Sequence, residues 1–254
     1  MKATVTALYR HPVKGFTPER LDAADLTVGE GFPGDRLYAV EVGPSGFDPD
    51  HPAFIRKTRF AVLAHIAQVA KARTRLDDAT GLFHATAPSQ PDFAADLAGE
   101  PGRAAFAAWL TVLLGEAAHA PLKVLRAPGG WRFMDHPQGH VSIINLNSIR
   151  DLEAKIGRPV DPLRFRANLY VEGWPAWVEN DWAGRTLAIG GATVAGYKPI
   201  VRCAATHVDP TTAERDMDVV KALFDHYGHT LCGLYLQTTV PGRVTVGDDL
   251  ELLT

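Results

Sequence analysis

Frequent glycine and proline residues divide this chain into short segments, and this punctuation restricts its fold more than any other feature. The 254 residues include 23 Gly and 18 Pro. Between these breaks lie runs with alternating or continuous apolar residues, a pattern typical of β-strands. We expect strands in ATVTALY, RLYAVEV, FAVLAHIAQV, LCGLYLQTTV, RVTVG and LELL. In TLAIGGATVAG, Gly190 and Gly191 supply the positive φ angles that a two-residue hairpin needs.

Three segments interrupt the strands with an apolar stripe at helical spacing, at residues 102–115, 147–159 and 215–228. The stripes contain, in chain order, Phe106, Trp109, Leu110, Leu113 and Leu114, then Ile149, Leu152 and Ile156, then Met217, Val220, Leu223 and Tyr227. Each helical pattern stops at a glycine, as helices commonly do, at Gly115, Gly157 and Gly228. Since strands and helices do not alternate regularly, we predict an α+β fold that is mainly β.

Two stretches organise the chain at a larger scale. The stretch TAPSQPDFAADLAGEPG has the loosest composition, and we expect an irregular surface excursion there. The best internal boundary is RAPGGWRFMDHPQGH, because it joins two better-patterned halves. We therefore predict two domains, at residues 1–127 and 128–254.

Charge and cysteine content exclude several classes of protein. The formal net charge of −3 gives no reason to expect nucleic acid as a partner, since that needs a clustered basic face. Two cysteines, Cys203 and Cys232, cannot form a disulfide framework, which favours a reducing compartment. The N-terminal segment MKATVTALYRHPVKG lacks the apolar core that a signal peptide has. No run of about 18 apolar residues, the length of a membrane-spanning helix, occurs in the sequence. We expect a cytoplasmic protein with no membrane partner.

The stretch VRCAATHVDP places a cysteine, Cys203, directly after Arg202. A lone cysteine is most often a small buried hydrophobe, whereas a nearby guanidinium favours the thiolate that binds soft metals or attacks electrophiles. Neighbouring residues of a strand point to opposite faces, so these two side chains meet only if the backbone turns there. These residues alone leave three roles open for the thiol: metal ligand, nucleophile and packing.

Basic residues recur in three other motifs. In RFRANLYV, an extended backbone would place Arg164, Arg166 and Asn168 on one face, as a clamp for phosphate or a planar heterocycle, or as a solvated basic face. Lys14 and Arg36 each follow a turn, where they would suit an anionic ligand or remain ordinary surface charges. The histidines of DHPQGH and FDHYGH match no zinc spacing, and we expect them at the surface.

Several of these motifs, taken in order, resemble a known family. LYRHPVKG, GDRLYAV, RFRANLYVEG, WVENDWAGRTLAIGGA, VRCAATHVDP and CGLYLQTTVPGRVTVGDDLELL follow one another as in MOSC-domain proteins, named after the C-terminal domain of molybdenum cofactor sulfurase. The N-terminal part resembles the β-barrel domain that precedes MOSC in the mitochondrial amidoxime-reducing component and its bacterial relatives. The resemblance implies a MOSC-type β-barrel with packed helices, and an N-terminal β-rich subdomain.

The resemblance also implies a set of site residues. In the enzymatic relatives one cysteine thiolate coordinates the molybdenum of a molybdopterin cofactor, and the matching position is Cys203. Asp209 follows the cysteine closely in the sequence, where it would serve as a proton source or as a turn cap. The positions implied to hold the cofactor are Lys14, Gly15, Arg36, Arg166, Asn168, Arg202 and Tyr235, together with one of Asn145, Asn147 and Ser148 at a helix start.

Some positions depart from the pattern of the better-known relatives. Gly15 stands where they have Ser, which removes one side-chain donor, and Val201 replaces a small hydroxyl residue. Ala213 replaces the glycine of their Asp-Pro-x-Thr-Gly turn. We expect Cys232 to be a buried structural thiol, unless a bulge at Gly233 brings it to the pocket.

As for function, the resemblance implies a molybdenum-cofactor oxidoreductase that reduces N-hydroxylated or N-oxide substrates. The chain shows no four-cysteine ferredoxin set, so electrons would come from a separate ferredoxin-, cytochrome- or flavoprotein-type donor. The alternatives are a non-catalytic carrier of cofactor or of persulfide sulfur on Cys203, and a degenerate interaction module. A link to pyridoxal phosphate comes with the family alone, and a weakly held cofactor would be lost on purification.

Overall fold

A computed structural model describes residues 1–253, which form fifteen strands and three α-helices. The strands are β1 (Lys2–Arg10), β2 (Glu19–Leu21), β3 (Ala23–Leu26), β4 (Tyr38–Val42), β5 (Arg73–Leu76), β6 (Phe83–Thr86), β7 (Phe93–Ala95), β8 (Leu122–Arg126), β9 (Val141–Asn145), β10 (Leu169–Glu172), β11 (Thr186–Ile189), β12 (Ala192–Val201), β13 (Leu231–Val240), β14 (Gly242–Thr245) and β15 (Asp249–Leu252). The helices are α1 (Glu100–Leu114), α2 (Leu146–Ile156) and α3 (Val219–Tyr227).

Seven strands close into a β-barrel. Their order is β10-β9-β13-β12-β11-β15-β1, and β1 pairs back onto β10 to complete the ring. All neighbours are antiparallel except β9 and β10, and β2 extends the sheet from β1. The first strand of the chain therefore lies among strands that begin after residue 140. This arrangement confirms the mainly β, α+β prediction; the division at residue 127 stays a prediction.

The barrel is filled by the inward-facing side chains of its strands. Val5, Leu187, Val194 and Leu234 are fully buried in one apolar cluster, as the alternation along their strands predicts. Between β11 and β12, Gly190 has a φ of 52° and turns the chain into the predicted hairpin, although Gly191, which was expected to share the positive φ, does not. A side chain at Gly190 would also collide with Asp248.

The N-terminal half builds a second core against α1. The small sheets β4–β8 and β5–β6–β7 pack with Phe106, Leu110 and Leu114 of α1, three residues of the predicted stripe. Phe106 sits in a network of aromatic rings, with its centroid 4.8 Å from that of Phe83. The stripe of this helix thus points into the core, and Gly115 ends the helix as expected.

Helices α2 and α3 pack on the outside of the barrel. Both end at a left-handed glycine, Gly157 and Gly228, as the sequence predicts. The predicted start of α3 was too early, because the Asp218 carboxylate accepts a hydrogen bond from the N–H of Lys221 and begins the helix at Val219. Val219 is buried with Leu223, whereas the predicted stripe residue Val220 is only partly buried.

One other prediction was wrong. The apolar run FAVLAHIAQV forms turns and a 3₁₀-helix at Ala67–Lys71 in place of a strand, although most of its side chains are buried. A continuous apolar run shows burial but not backbone type, which explains the error. The stretch 86–102 is mostly irregular and at the surface, as expected, but it also contains β7, the buried Leu97 and the start of α1.

Across residues 1–253, none of the helices has both the length and the apolar character needed to cross a membrane.

Candidate functional site

A cavity opens beside the end of β12 and draws residues from both halves of the chain. Its volume is about 150 Å³. Small-molecule sites commonly measure roughly 300–1,000 Å³, so a cofactor-sized ligand would extend beyond this cavity toward solvent. The lining residues are Arg36, Lys57, Val62, Ala64, Asp135, Ser142, Arg164, Phe165, Arg166, Ile200, Val201, Arg202, Cys203, Ala205, Thr206 and Tyr235.

Cys203 lines this cavity with a partly exposed side chain. Strand β12 ends at Val201, so the backbone has left the strand when it reaches Arg202 and Cys203. Both side chains can therefore line the same cavity, although neighbours within a strand would point apart. A 3₁₀-helix at Ala204–His207 follows, and the Cys203 carbonyl accepts hydrogen bonds from the N–H and hydroxyl of Thr206. The thiol is not sealed in apolar packing.

Arg202 is clamped by backbone carbonyls. Its Nε donates to the Cys232 carbonyl at 2.8 Å and its Nη1 to the Phe165 carbonyl at 2.6 Å. The guanidinium also lies 5.3 Å from the centre of the Phe165 ring, a cation–π distance. Its Nη2 is buried and has no hydrogen-bond partner among the described residues.

The segment carrying Arg164 and Arg166 is not extended, which corrects our expectation. Residues Pro162–Phe165 form a 3₁₀-helix, and Arg166 has a left-handed φ of 55°. Both arginines still line the cavity, but Arg164 is bonded to Asp209 at 2.9 Å and Asp216 at 2.7 Å. The Arg166 Nη1 donates to the Phe16 carbonyl, whereas its buried Nη2 is unpartnered within residues 1–253.

Arg166 lies in an environment that disfavours its positive charge. Burial, followed by the positive charge of Arg36, lowers the pKa of Arg166 to about 10. Arg36 itself is bonded to Asp35, a carboxylate with no exposed surface that also accepts the backbone N–H of His11 at 2.5 Å. A left-handed φ of 49° turns Arg36 at this point, an uncommon backbone for a residue with a side chain. An anionic ligand would relieve the crowding of these guanidinium groups.

Lys57 is a cavity residue that the sequence analysis missed. It lies on a 3₁₀-helix, Lys57–Arg59, and is half-buried. It lines the cavity together with Cys203. Burial lowers the pKa of Lys57, but its interactions with Cys203 and, less strongly, with Asp135 together outweigh burial and raise it. The only local signal was a short basic run, RKTR, which has no recognisable relation to a cysteine so much later in the chain.

Lys14 lies behind the residues that line the cavity and is not one of them. It is 2% exposed, and its Nζ donates to the carbonyls of Phe133 and Met134 and, at 2.5 Å, to Asp135. Asp135 does line the cavity. Desolvation raises the pKa of Asp135, but the charges of Lys14 and Arg36 outweigh it and hold the pKa below its usual range. Lys14 thus shapes the wall and keeps its carboxylate ionised.

Asn168 and Gly15 also lie behind the lining. The Asn168 amide accepts the N–H and hydroxyl of Ser142 and donates to the Tyr9 carbonyl, so its hydrogen-bonding groups are engaged. Gly15 has a φ of 88°, and a Cβ there would lie 2.7 Å from the Val62 backbone. Serine is therefore sterically excluded at Gly15, which explains that departure from the family pattern.

The start of α2 is separate from the cavity. Asn145 Oδ1 accepts the N–H of Asn147, and its Nδ2 donates to Glu179 at 3.1 Å. Ser148 donates to the same carboxylate at 2.7 Å, and Asn147 Nδ2 donates to the Trp174 carbonyl. Asn145, Asn147 and Ser148 do not line the cavity, and the side chains of Asn145 and Ser148 are bonded to a buried protein carboxylate.

Asp209 lies outside the lining as well. One carboxylate oxygen accepts the N–H groups of Thr211 and Thr212, and the other accepts Arg164. These bonds outweigh desolvation and lower the pKa of Asp209. The arrangement is that of a turn cap rather than a proton source.

The side chain of the second cysteine does not line the cavity, although its carbonyl accepts a hydrogen bond from Arg202. Cys232 is fully buried, and burial raises the pKa of its thiol to about 12. Gly233 has a φ of 80° and the pairing of β12 with β13 is irregular nearby, yet Cys232 points into the apolar cluster under α2 and α3. In the described part of the chain, no group of three or more His, Cys, Asp and Glu side chains is arranged to hold a metal ion.

The lining of the cavity suits an anionic ligand that carries a metal able to bind a thiolate. One carboxylate, Asp135, faces five cationic side chains: Arg36, Lys57, Arg164, Arg166 and Arg202. A buried donor without a partner costs roughly 1–3 kcal/mol, so the free nitrogens of Arg166 and Arg202 favour an anion. Cys203 adds the soft ligand that molybdenum accepts from protein. Tyr235 completes the wall.

Comparison with known proteins gives two family matches. The MOSC domain matches residues 131–251, and the MOSC N-terminal beta barrel domain matches residues 2–117. Mitochondrial amidoxime-reducing component 1 of Mus musculus and that of Homo sapiens are each 28% identical over 123 residues, which cover 44% of this chain and 36% of the relative. The matched region thus spans about a third of those relatives.

Similar solved structures include the YUAD protein from Bacillus subtilis, with a TM-score of 0.47 and 14% identity over 99% of this chain and 96% of that one. YiiM from Geobacillus stearothermophilus has a TM-score of 0.37 and 21% identity, over 46% of this chain and 56% of that one.

Proposed function

The chain consists of a MOSC N-terminal beta barrel domain followed by a MOSC domain, and we propose that its Cys203 cavity binds a molybdenum cofactor. The protein would then be an oxidoreductase that acts on N-hydroxylated or N-oxide substrates. The observation that carries this proposal is the partly exposed thiol in a cavity whose cationic side chains outnumber its carboxylates five to one.

Each part of the cavity has a role in this proposal. When bound, the cofactor would supply two-electron redox chemistry at molybdenum. The Cys203 thiolate would be the protein ligand of the metal. Arg166 and Arg202, each with one free buried nitrogen, would donate charge-assisted hydrogen bonds to the anionic groups of the cofactor.

Other residues would hold the cavity in shape. Lys14 fixes the carbonyls of Phe133 and Met134 and so positions the wall that carries Asp135. Asn168 ties Ser142, a lining residue, to β1 through the Tyr9 carbonyl. Neither Lys14 nor Asn168 would need to touch the cofactor to affect its binding, because both act on lining residues.

Reduction of N-oxygenated substrates is proposed from the relatives. The matched relatives are named for amidoxime reduction, but the match covers 36% of their length. We expect the electrons to come from a separate donor protein, as the sequence analysis predicts.

The test compares two cysteine variants of protein expressed in a host that makes the cofactor. We expect Cys203→Ala to lose most of its molybdenum, measured by mass spectrometry, and to reduce benzamidoxime at least about 100-fold more slowly. Cys232→Ala is the matched control and should keep both properties, since Cys232 lies outside the cavity. Full molybdenum content and activity in Cys203→Ala would contradict the proposal.

Partial exposure of Cys203 also favours a second function, the carriage of cofactor or sulfur, because persulfide transfer needs a thiol that a partner can reach. In that case the intact mass of purified protein would show a sulfur adduct of about 32 Da that disappears in Cys203→Ala. Reductase activity of the loaded protein without such an adduct would exclude this alternative.

A further inference from the structure

The cationic side chains of the cavity differ in the groups to which they are bonded. Arg164 is bonded to Asp209 and Asp216, and Arg36 is bonded to Asp35. The charges of these two arginines are therefore largely balanced by carboxylates of the protein.

Two further arginines are held by backbone groups. Arg202 donates to the carbonyls of Cys232 and Phe165, and Arg166 donates to that of Phe16. Each keeps a buried, unpartnered terminal nitrogen, Nη2, whereas the unpartnered nitrogen of Arg164 is its Nε and both terminal nitrogens of Arg164 are bonded. Arg166 and Arg202 are therefore the side chains suited to a tightly held anionic group.

Lys57 belongs to neither class. Among the described residues it forms no salt bridge, and it lines the cavity together with Cys203. The carboxylate of Asp135, which also lines the cavity, is bonded to Lys14. Lys57 is only half-buried, on a short 3₁₀-helix, so its charge is open to a ligand that enters the cavity.

Apolar side chains line part of the same cavity. Val201 is 61% exposed, a high value for a large hydrophobic residue. Val62, Ala64 and Ala205 also belong to the lining. A cation without a salt bridge and an exposed apolar side chain in one cavity match a ligand that carries one anionic group on an apolar frame.

We propose that Lys57 is the substrate-facing cation of this cavity and that it selects N-oxygenated substrates that carry a carboxylate or similar anionic group. This inference rests on the proposed function, since Lys57 lines the same cavity as the sulfur that would bind the metal, where the substrate must react. A lysine there binds a carboxylate through a charge-assisted hydrogen bond, whereas a neutral substrate gains nothing from it.

The experiment measures binding without turnover. Isothermal titration of molybdenum-loaded protein, with no electron donor present, gives the Kd of benzamidoxime and of 4-carboxybenzamidoxime. We expect wild-type protein to bind the carboxylated probe roughly tenfold more tightly. Lys57→Gln should bind both probes equally and retain its molybdenum, and Lys57→Arg should keep the preference because it keeps the charge.

Arg59→Gln is the matched control, because Arg59 is an exposed cation of the same 3₁₀-helix and does not line the cavity. We expect it to retain the preference. Equal affinities in wild-type protein, or a preference that survives in Lys57→Gln, would overturn the inference. Loss of molybdenum in Lys57→Gln would also overturn it, by making Lys57 a cofactor residue, and would leave the proposed function standing. Wild-type protein that takes up no molybdenum would refute the proposed function and this inference together.

Discussion

The Cys203 cavity and the start of α2 are both rich in polar groups, and family resemblance assigned both to cofactor binding, but they differ in how those groups are satisfied. At the start of α2, Asn145 and Ser148 bond to Glu179, a fully buried carboxylate. In the cavity, Arg166 and Arg202 each keep a buried nitrogen without a partner in residues 1–253. Satisfied polar groups stabilise a fold, whereas unsatisfied ones are available to a ligand.

The electrostatics of the two regions differ in the same way. Burial among neutral donors raises the pKa of Glu179 above its ordinary value. The pKa of Asp135 in the cavity is held below its ordinary value by Lys14 and Arg36, despite desolvation. The start of α2 is a closed network around a single buried carboxylate. The Cys203 cavity is an open site with an excess of cationic side chains.

The largest effect that separates the two regions is expected in the cavity. Arg166→Met should weaken retention of the cofactor roughly 100-fold, because it removes a charge-assisted bond from a buried site. The free energy of unfolding of cofactor-free protein should change by less than about 1 kcal/mol, since the lost bond to Phe16 is offset by less burial of charge and less repulsion from Arg36. Molybdenum content after dialysis and urea unfolding measure the two quantities.

Arg150→Met is the control for that experiment. It removes an exposed guanidinium that pairs with Glu172 on the protein surface, and it should retain the cofactor. A large loss of stability in Arg166→Met, with cofactor retained, would show that the cavity is a structural network like the start of α2.

The next largest effect is expected at α2, with the opposite outcome. Glu179→Ala should lower the free energy of unfolding by about 2 kcal/mol, because it leaves the Ser148 hydroxyl buried without its acceptor. The molybdenum content of the folded protein should not change, since Glu179 does not line the cavity. Urea unfolding and metal analysis of the same preparation test this, and metal loss at full stability would contradict the distinction.

The smallest expected effect is in the pH dependence of stability. The lowered pKa of Asp135 contributes stability that is present above its unfolded pKa of 3.8 and is lost as the pH falls below it. Wild-type protein should therefore lose more stability than Asp135→Asn between about pH 5 and about pH 3. The difference should stay under about 1 kcal/mol, because Asp135 is partly exposed and screened by solvent.

Glu179 should show the opposite sign. Its raised pKa means that the folded protein holds the proton more tightly than the unfolded chain, so stability is lost as the pH rises from 4.5 through the raised value. Wild-type protein should lose stability relative to Glu179→Gln over that interval in thermal unfolding. If the contributions of Asp135 and Glu179 to stability changed in the same direction with pH, the electrostatic contrast between the two regions would be contradicted.

Local pattern predicted the parts of the fold that depend on local chemistry. The Gly190–Gly191 hairpin and the helix ends at Gly157 and Gly228 are examples, because a positive φ strongly selects glycine. The run FAVLAHIAQV was wrong as a strand, since a buried segment needs no particular backbone periodicity.

For the candidate site, the order of the motifs along the chain identified more residues than the spacing of residues within a motif did. Five predicted residues line the cavity together: Arg36, Arg166, Arg202, Cys203 and Tyr235. Lys57 was missed because only the fold brings it to Cys203. The role of Ser148 was missed because its partner, Glu179, lies 31 residues further along the chain.

The central claim is that the Cys203 sulfur binds molybdenum, and X-ray absorption at the molybdenum edge tests it most directly. Spectra of loaded wild-type protein and of Cys203→Ser would be compared, since serine offers the metal an oxygen in the same place. We predict that the variant loses one sulfur neighbour of molybdenum and gains an oxygen neighbour. An unchanged set of sulfur neighbours would contradict the claim.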